Sequence, residues 1–285
     1  MNKIGFIGVG KVGTAFGTRL AEKDFPVRGA MDILPAEAAR FSGSLPQCAV
    51  YPTAQALADA MDFVFITTPD DVIGEVASAV KWHRGQSVIH CSGANSTAVL
   101  RPALEQGANV GCMHPCNSFA SIQQSIENLP GSTFTLEADE PVLTDLKNFA
   151  AALRGSWMKL REEDKALYHA SACIASNYLN TIVHLATDLW KHFDMSQPEA
   201  LAACIPILRG TMNNIEHVGL PGCLTGPIAR GDIGTIRKHL AALEQKEPTL
   251  LPLYKSLGLE TIPIGVAKGT LSEEKAAELR SLLSA

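Results

Sequence analysis

Three glycines near the start of the chain have the types and spacing of a phosphate cradle. Lys3-Ile4-Gly5-Phe6-Ile7 is a short apolar run that reads as a buried strand, and it passes straight into Gly8-Val9-Gly10-Lys11-Val12-Gly13. Thr14 to Ala21 then reads as a helix. In that setting the first glycine permits a tight turn, the second lets backbone approach a pyrophosphate, and the third lets helix and strand pack closely. The free N–H groups and positive dipole end of the helix face the phosphates. Gly8, Val9, Gly10, Lys11, Val12 and Gly13 are therefore expected to hold a dinucleotide.

Asp32 closes the next strand about twenty residues on, where an acid can accept from the adenosine ribose hydroxyls. The same carboxylate would face the extra phosphate of NADP. Two unit charges about 4 Å apart repel by roughly 1–4 kcal/mol between water and a protein surface, which is about tenfold to several hundredfold in affinity. NAD is expected in preference to NADP. In the alternative, Asp32 is a surface turn residue and Arg28 or Arg40 supplies a phosphate contact. Thr67, Thr68 and Pro69, and Ser92 with Gly93, follow the ends of two further strands. Ligands of open α/β sheets lie at those ends, so these residues are expected to line the cofactor crevice or, more simply, to form ordinary strand-to-helix turns.

The second half carries a different set of groups. From Ala166 to Thr187 there is no Lys, Arg, Asp or Glu. That length could cross a bilayer, but His169, Ser176, Asn177 and His184 make it too polar for a lone lipid-facing helix. A helix buried in a protein core or dimer interface fits better. Lys165, His169, Cys173 and Asn177 lie four apart and share one helical face, with Tyr168 and Ser176 beside them. Hydride transfer to a carbonyl or imine needs a proton donor near the reacting heteroatom. His169 is the first catalytic candidate, with Asn177 orienting substrate or nicotinamide and Ser176 at the substrate; the plainer reading of His169 is a satisfied core histidine. His114 is placed in a loop after the sixth strand, close to where nicotinamide would lie. In Leu224-Thr225-Gly226-Pro227-Ile228-Ala229-Arg230-Gly231-Asp232 the small residues allow close approach to a ligand. Thr225 and Arg230 are substrate candidates there, Arg230 by pairing with a carboxylate or, alternatively, by making a structural salt bridge. Cys112, His114 and Cys116 alternate as metal ligands in a strand can, but Pro115 is expected to break that strand and no fourth ligand is evident, so no metal site is expected.

The elements that must position these groups follow from periodicity. Apolar runs at 27–32, 49–51, 62–69, 87–92 and 109–114 read as strands separated by helical patterns, and 133–136 with 157–160 extend the sheet after one more helix. This predicts an α/β fold: an N-terminal Rossmann doubly wound parallel sheet over residues 1–160, followed by an all-α domain over 161–285. In the second part, Ser196 with Glu199 forms a capping box for a helix reaching Val218, with Pro206 inside it. Asp232 caps another helix, Pro248 opens one expected to end before Gly258, and Ser272 starts the last. The 285 residues suit two domains. A net charge of −5 with no Lys/Arg cluster argues against nucleic acid as a partner. Seven cysteines without a C-x-x-C pair fit reduced thiols. With no signal peptide recognised, a cytoplasmic protein without membrane association is expected.

At these residues the chain resembles a known family. The glycine turn, Thr67-Thr68-Pro69-Asp70-Asp71, His90-Cys91-Ser92-Gly93 and Met113-His114-Pro115 look like its Rossmann half. Tyr168-His169-Ala170-Ser171-Ala172, Ala175-Ser176-Asn177-Tyr178-Leu179, Arg209-Gly210-Thr211 and the 224–232 segment look like its second domain. This is the group of Rossmann-like proteins whose C-terminal half is domain of unknown function 2520. The resemblance implies kinship with pyrroline-5-carboxylate reductase and the beta-hydroxyacid dehydrogenases, and a helical domain that forms homodimers. Beta-hydroxyacid dehydrogenases place a Lys and, four residues on, an Asn on their interdomain helix; here Lys165 is followed at that spacing by His169. Thr225-Gly226-Pro227 would stand for the small-residue substrate loop of pyrroline-5-carboxylate reductase. The expected function is an NAD(P)-dependent oxidoreductase acting as a homodimer on a small polar carbonyl, hydroxyl or imine. A dinucleotide-binding sensor without turnover is the alternative, and an adenosylmethionine-dependent methyltransferase a third, opposed by the helical second half.

Overall fold

The computed structural model describes residues 2–284. Strands and helices alternate through β1 (Ile4–Ile7), α1 (Lys11–Ala21), β2 (Val27–Met31), α2 (Pro35–Gly43), β3 (Ala49–Val50), α3 (Ala54–Ala58), β4 (Phe63–Ile66) and α4 (Ile73–Ala79). They continue through β5 (Ser87–His90), α5 (Arg101–Glu105), β6 (Asn109–Cys116), α6 (Ile122–Asn128), β7 (Thr133–Ala138), α7 (Val142–Ala152) and β8 (Ser156–Lys159). All eight strands form one sheet in the order β3-β2-β1-β4-β5-β6-β7-β8. Every residue of β1 and β4 is buried, as a parallel strand covered on both faces requires. One face buries Phe6, Phe16, Phe65 and Phe134, and the other buries Ile7, Val64, Val88 and Leu100. Strand order reverses between β1 and β4, which opens a crevice at their carboxyl ends.

The sheet departs from an all-parallel one at a single pair. β7 runs antiparallel to β6, with Pro115 opposite Phe134 and Cys116 opposite Thr133. Pro115 therefore lies inside a strand rather than ending it, and His114 is a strand residue rather than a loop residue. The reason is the missing neighbour: β5 pairs with β6 only as far as His90 opposite Cys112. Beyond that point one flank of β6 is locally an edge, where a residue without an N–H is tolerated.

The remaining elements are helical: α8 (Lys165–Ala175), α9 (Asn177–Asp188), α10 (Gln197–Val218), α11 (Ile233–Lys246), α12 (Leu251–Lys268) and α13 (Glu273–Ser284). The uncharged segment is two helices, because Ser176 leaves helical geometry at φ −118°, ψ −65°. It is also not a core helix: Leu167, Ile174 and Tyr178 are exposed. The Ser196–Glu199 capping box is present, and α10 continues through Pro206. The helix expected to stop before Gly258 instead runs on to Lys268. Gly258 sits inside it, where a Cβ would come 2.9 Å from Leu283 Cδ1, so the glycine there allows α13 to pack closely rather than ending a helix. The chain divides into two compact units, the first ending at Leu179 and the second beginning at Asn180. α8 thus belongs to the sheet unit although it follows the last strand. Among the described residues, no helix is long and apolar enough to cross a membrane.

Candidate active site

The glycine turn is built against the loop after β4. Gly8 has φ +86°, and a Cβ on it would come 2.9 Å from Thr68 N. A Cβ on Gly13 would run into Gly8 O and Thr67 Oγ1. Gly10, the residue before α1, has nothing within 4 Å of a Cβ position and is exposed. Two of the three glycines therefore serve close packing, and the third leaves an opening over the first turn of α1, where Lys11 and Val12 carry main-chain donors that a helix cannot satisfy itself. Thr68 Oγ1 is buried beside this turn with no hydrogen-bond partner. An open cradle of helix N–H groups with an orphaned hydroxyl at its side fits a pyrophosphate. Pro69 is exposed at the rim.

Asp32 also takes part in the turn's own hydrogen bonding. Its Oδ2 accepts the Val9 N–H at 2.8 Å and its Oδ1 accepts the Leu34 N–H at 2.9 Å. Both oxygens thus shape the turn. The Arg40 guanidinium reaches the same peptide, donating to Val9 O at 3.1 Å and to Thr14 Oγ1 at 3.2 Å. Arg40, which also pairs with Glu37 at 2.9 Å, therefore stands beside the turn as the alternative reading of Asp32 allowed, and the carboxylate alone no longer favours NAD over NADP. Arg28 donates to Val27 O instead.

The loop after β5 is stiffened from both sides. Ser92 Oγ donates to Asp70 Oδ2 at 2.6 Å and accepts the Asn95 N–H at 3.0 Å. His90 Nδ1 accepts the Ser92 N–H at 3.1 Å, leaving Nε2–H to donate to Ser96 O at 3.2 Å. Burial, then the Lys165 charge, pushes the His90 pKa down to about 3, so the ring is neutral. Next along the chain, Gly93 admits two imidazoles: a Cβ there would lie 2.8 Å from His114 Nε2 and 2.9 Å from His169 Cδ2.

His114 and His169 line a cavity of about 400 Å³ with Cys116, Asn117, Cys173, Ser176 and Asn177. Strand β6 presents His114 and helix α8 presents His169 and Cys173, whose thiol lies 3.8 Å from His169 Nδ1. The predicted catalytic residues His114, His169 and Asn177, together with Ser176, are thus brought to one cavity. Tyr168, which sequence reasoning placed only as a neighbour, is the residue it undervalued: its hydroxyl lies 2.8 Å from His114 Nδ1. Burial, then the neighbouring His169, pushes the His114 pKa down to about 4, which keeps this ring neutral as well. The signal was present as a tyrosine one residue before His169, but only the fold pairs it with a strand fifty residues earlier.

Lys165 is not part of that cavity. It is 2 % exposed, donates to Cys112 Sγ at 3.0 Å and pairs with Glu137 Oε2 at 3.2 Å. The other oxygen of Glu137 accepts from the N–H and hydroxyl of Thr97 at 2.9 and 2.7 Å. One carboxylate therefore ties the start of α8 to the segment after the β5 loop, and a buried cation with such partners is structural. Among the described residues there is no His/Cys/Asp/Glu group arranged to hold a metal. Thr225 and Arg230 fall in the second compact unit. Arg230 is exposed there, in a turn whose Asp232 caps α11 by accepting the Thr235 N–H at 3.0 Å.

Comparison with known proteins bears on the whole chain. Residues 1–115 match the Rossmann-like domain family, and residues 132–261 match the family described as domain of unknown function (DUF2520). No curated protein matches the chain in sequence. A Bacteroides fragilis protein described as a candidate NADP oxidoreductase is similar in structure, with a TM-score of 0.75 at 19 % identity over 92 % of this chain and 98 % of its own. A reductive aminase from Aspergillus terreus, solved with an NADPH-type cofactor, cyclohexanone and allyl amine, reaches 0.60 at 15 % identity over 99 % and 92 %. The 1-pyrroline-5-carboxylate reductase of Streptococcus pyogenes reaches 0.60 at 17 % identity over 98 % of both chains. At these identities the likeness is one of fold.

Proposed function

From a chain that joins a Rossmann-like domain to the DUF2520 domain, we infer an oxidoreductase that uses a nicotinamide dinucleotide on a small polar carbonyl, hydroxyl or imine group. The observation that carries this reading is the open Gly10 cradle with the orphaned Thr68 hydroxyl, on the same sheet edge as the His114–His169 cavity. When bound, the dinucleotide supplies or accepts the hydride. The protein's own residues have separate tasks: the turn at Gly8–Gly13 binds the pyrophosphate, the Ser92–Gly93 loop borders the reacting end, and the His114 and His169 rings meet the substrate. NADP(H) is favoured over NAD(H), supported by Arg40 at the turn and by relatives in fold named for NADP or solved with NADPH. The first domain binds the dinucleotide, and the helical second domain serves substrate binding and dimerisation.

A homodimer belongs to the same reading. Leu167, Ile174, Ile207, Val218 and Leu220 are each more than half exposed on α8, on α10 and just beyond α10, and apolar faces of that extent in a soluble protein mark an interface. A cytoplasmic location is supported by seven free thiols. Titration calorimetry of the full-length protein with NADPH and NADH tests the reading. NADPH binding at micromolar concentrations, with Arg40→Ala narrowing the NADPH/NADH affinity ratio, is expected. Absence of heat from either dinucleotide at millimolar concentration overturns it.

A further inference from the structure

Resting on the oxidoreductase reading, the geometry points to the class of group that is reduced: we propose that the substrate presents an uncharged carbonyl oxygen to the Nε2–H of His114, a proton held on that nitrogen by Tyr168. The phenol oxygen is 2.8 Å from His114 Nδ1. Its other neighbours are the Cys116 thiol and the Thr135 hydroxyl. Thr135 Oγ1 is buried and has no hydrogen-bond partner, so it does not compete with His114 for the phenol hydrogen. A thiol is a weak acceptor and an imidazole nitrogen a good one. The Tyr168 hydrogen accordingly points to Nδ1, and the ring carries its own proton on Nε2. Gly93 leaves that nitrogen uncovered, since a side chain there would sit 2.8 Å from it.

A neutral Nε2–H is a donor that needs an acceptor. A carbonyl oxygen has lone pairs to offer. A neutral imine nitrogen also has one, but the iminium form that readily accepts hydride has none. That form would bring a positive charge into a cavity whose described lining contains no Asp or Glu. The lining equally contains no Lys or Arg, so the reacting end of the substrate is uncharged. In the reduction, hydride adds to the carbonyl carbon and the C=O π pair moves onto oxygen. That oxygen takes the Nε2 proton while Nδ1 takes the Tyr168 hydrogen, and the phenolate recovers a proton from water. The net change is one hydride and one solvent proton gained by the carbonyl compound. Tyr168 acts through His114 and is a positioning residue.

Long-range proton–nitrogen NMR of the 15N-histidine-labelled full-length protein reads the tautomer directly, with His114→Gln assigning the ring. The Nε2–H form is expected in the native chain, and a shift toward Nδ1–H is expected in Tyr168→Phe, which removes one hydroxyl and leaves the ring packing. Steady-state NADPH oxidation against ketones, aldehydes and cyclic imines supplies the second readout. Turnover of carbonyl compounds is expected, with kcat about tenfold or more lower in Tyr168→Phe at little changed KM. An Nδ1–H native tautomer, or turnover of imines without carbonyls, overturns the proposal while leaving dinucleotide binding intact. Failure to bind NADPH at all overturns both this and the oxidoreductase reading.

Discussion

The two compact units bury their apolar side chains in opposite ways. In the sheet unit, Phe6 stacks on Phe65 at 5.0 Å between ring centres, Phe16 lies 5.7 Å from Phe65, and all three rings are fully buried. In the second unit the buried cluster is small, formed by residues such as Ile236, Ile262, Leu271 and Leu279. Its longest helix, α10, buries only Ala200, while Ile207 is 69 % and Val218 62 % exposed. A parallel sheet covered on both faces must satisfy itself within one chain. A helix with large exposed apolar residues leaves a face to be completed by a surface from elsewhere, for which a second copy is the partner proposed above. The difference bears on where a defined cavity can be built: His114 stands on a strand of the buried sheet, and Tyr168 meets it there at 2.8 Å.

The largest expected effect separates the two units directly. Phe65→Ala removes a fully buried ring from the sheet core and should cost about 3–5 kcal/mol, read by urea unfolding of dilute protein. Ile207→Ala, exposed on α10, should stay within about 0.5 kcal/mol in the same experiment, yet weaken self-association measured by analytical ultracentrifugation. Equal costs for the two substitutions, or unchanged self-association, would break the comparison.

A pH series sharpens it next. The folded pKa of His114 is about 4 and that of His90 about 3, against ordinary values of 6.5. Below pH 6.5 the unfolded chain takes up protons that the folded chain refuses, so stability is fully present above 6.5 and is lost as pH falls toward 4 and 3. For His114 the loss is on the order of 3 kcal/mol. His114→Asn should flatten the fall of denaturation midpoint between pH 6.5 and 4. An unchanged slope would mean that the ring is not held neutral.

Much of this was legible from residue order. The strand–helix alternation, the glycine turn, the capping box at Ser196 and the convergence of His169 with Asn177 all follow from local patterns of short range. The departures share one cause: each depends on what lies across from a residue rather than beside it in sequence. Pro115 is tolerated because β5 ends opposite Cys112. Asp32 braces the turn because Val9 and Leu34 offer it two N–H groups. Tyr168 meets His114 across the fold, and Lys165, grouped with His169 by spacing, is drawn to Glu137 instead. Spacing along a helix orders groups on a face but does not say which partner that face meets.

Two glycines in the helical unit set the smallest effects, and their opposite signs make the finest test. Gly258 lies inside α12 with Leu283 Cδ1 2.9 Å from a Cβ position. Alanine there gains about 1 kcal/mol of helix propensity but forces the leucine to move, at about 1–3 kcal/mol. The net expectation for Gly258→Ala is a loss of about 1 kcal/mol. Gly210, in the interior of α10, has nothing within 4 Å of a Cβ position, so Gly210→Ala should stabilise the dilute single chain by about 0.5–1 kcal/mol. If α10 is covered by a second copy whose backbone approaches Gly210, the same methyl should weaken the dimer while stabilising the monomer. If Gly210 lies outside the interface, the dimer should be as stable as before or more so. A Gly210→Ala protein destabilised even as a monomer would show that α10 is already packed within one chain, and the contrast between the two units would fail.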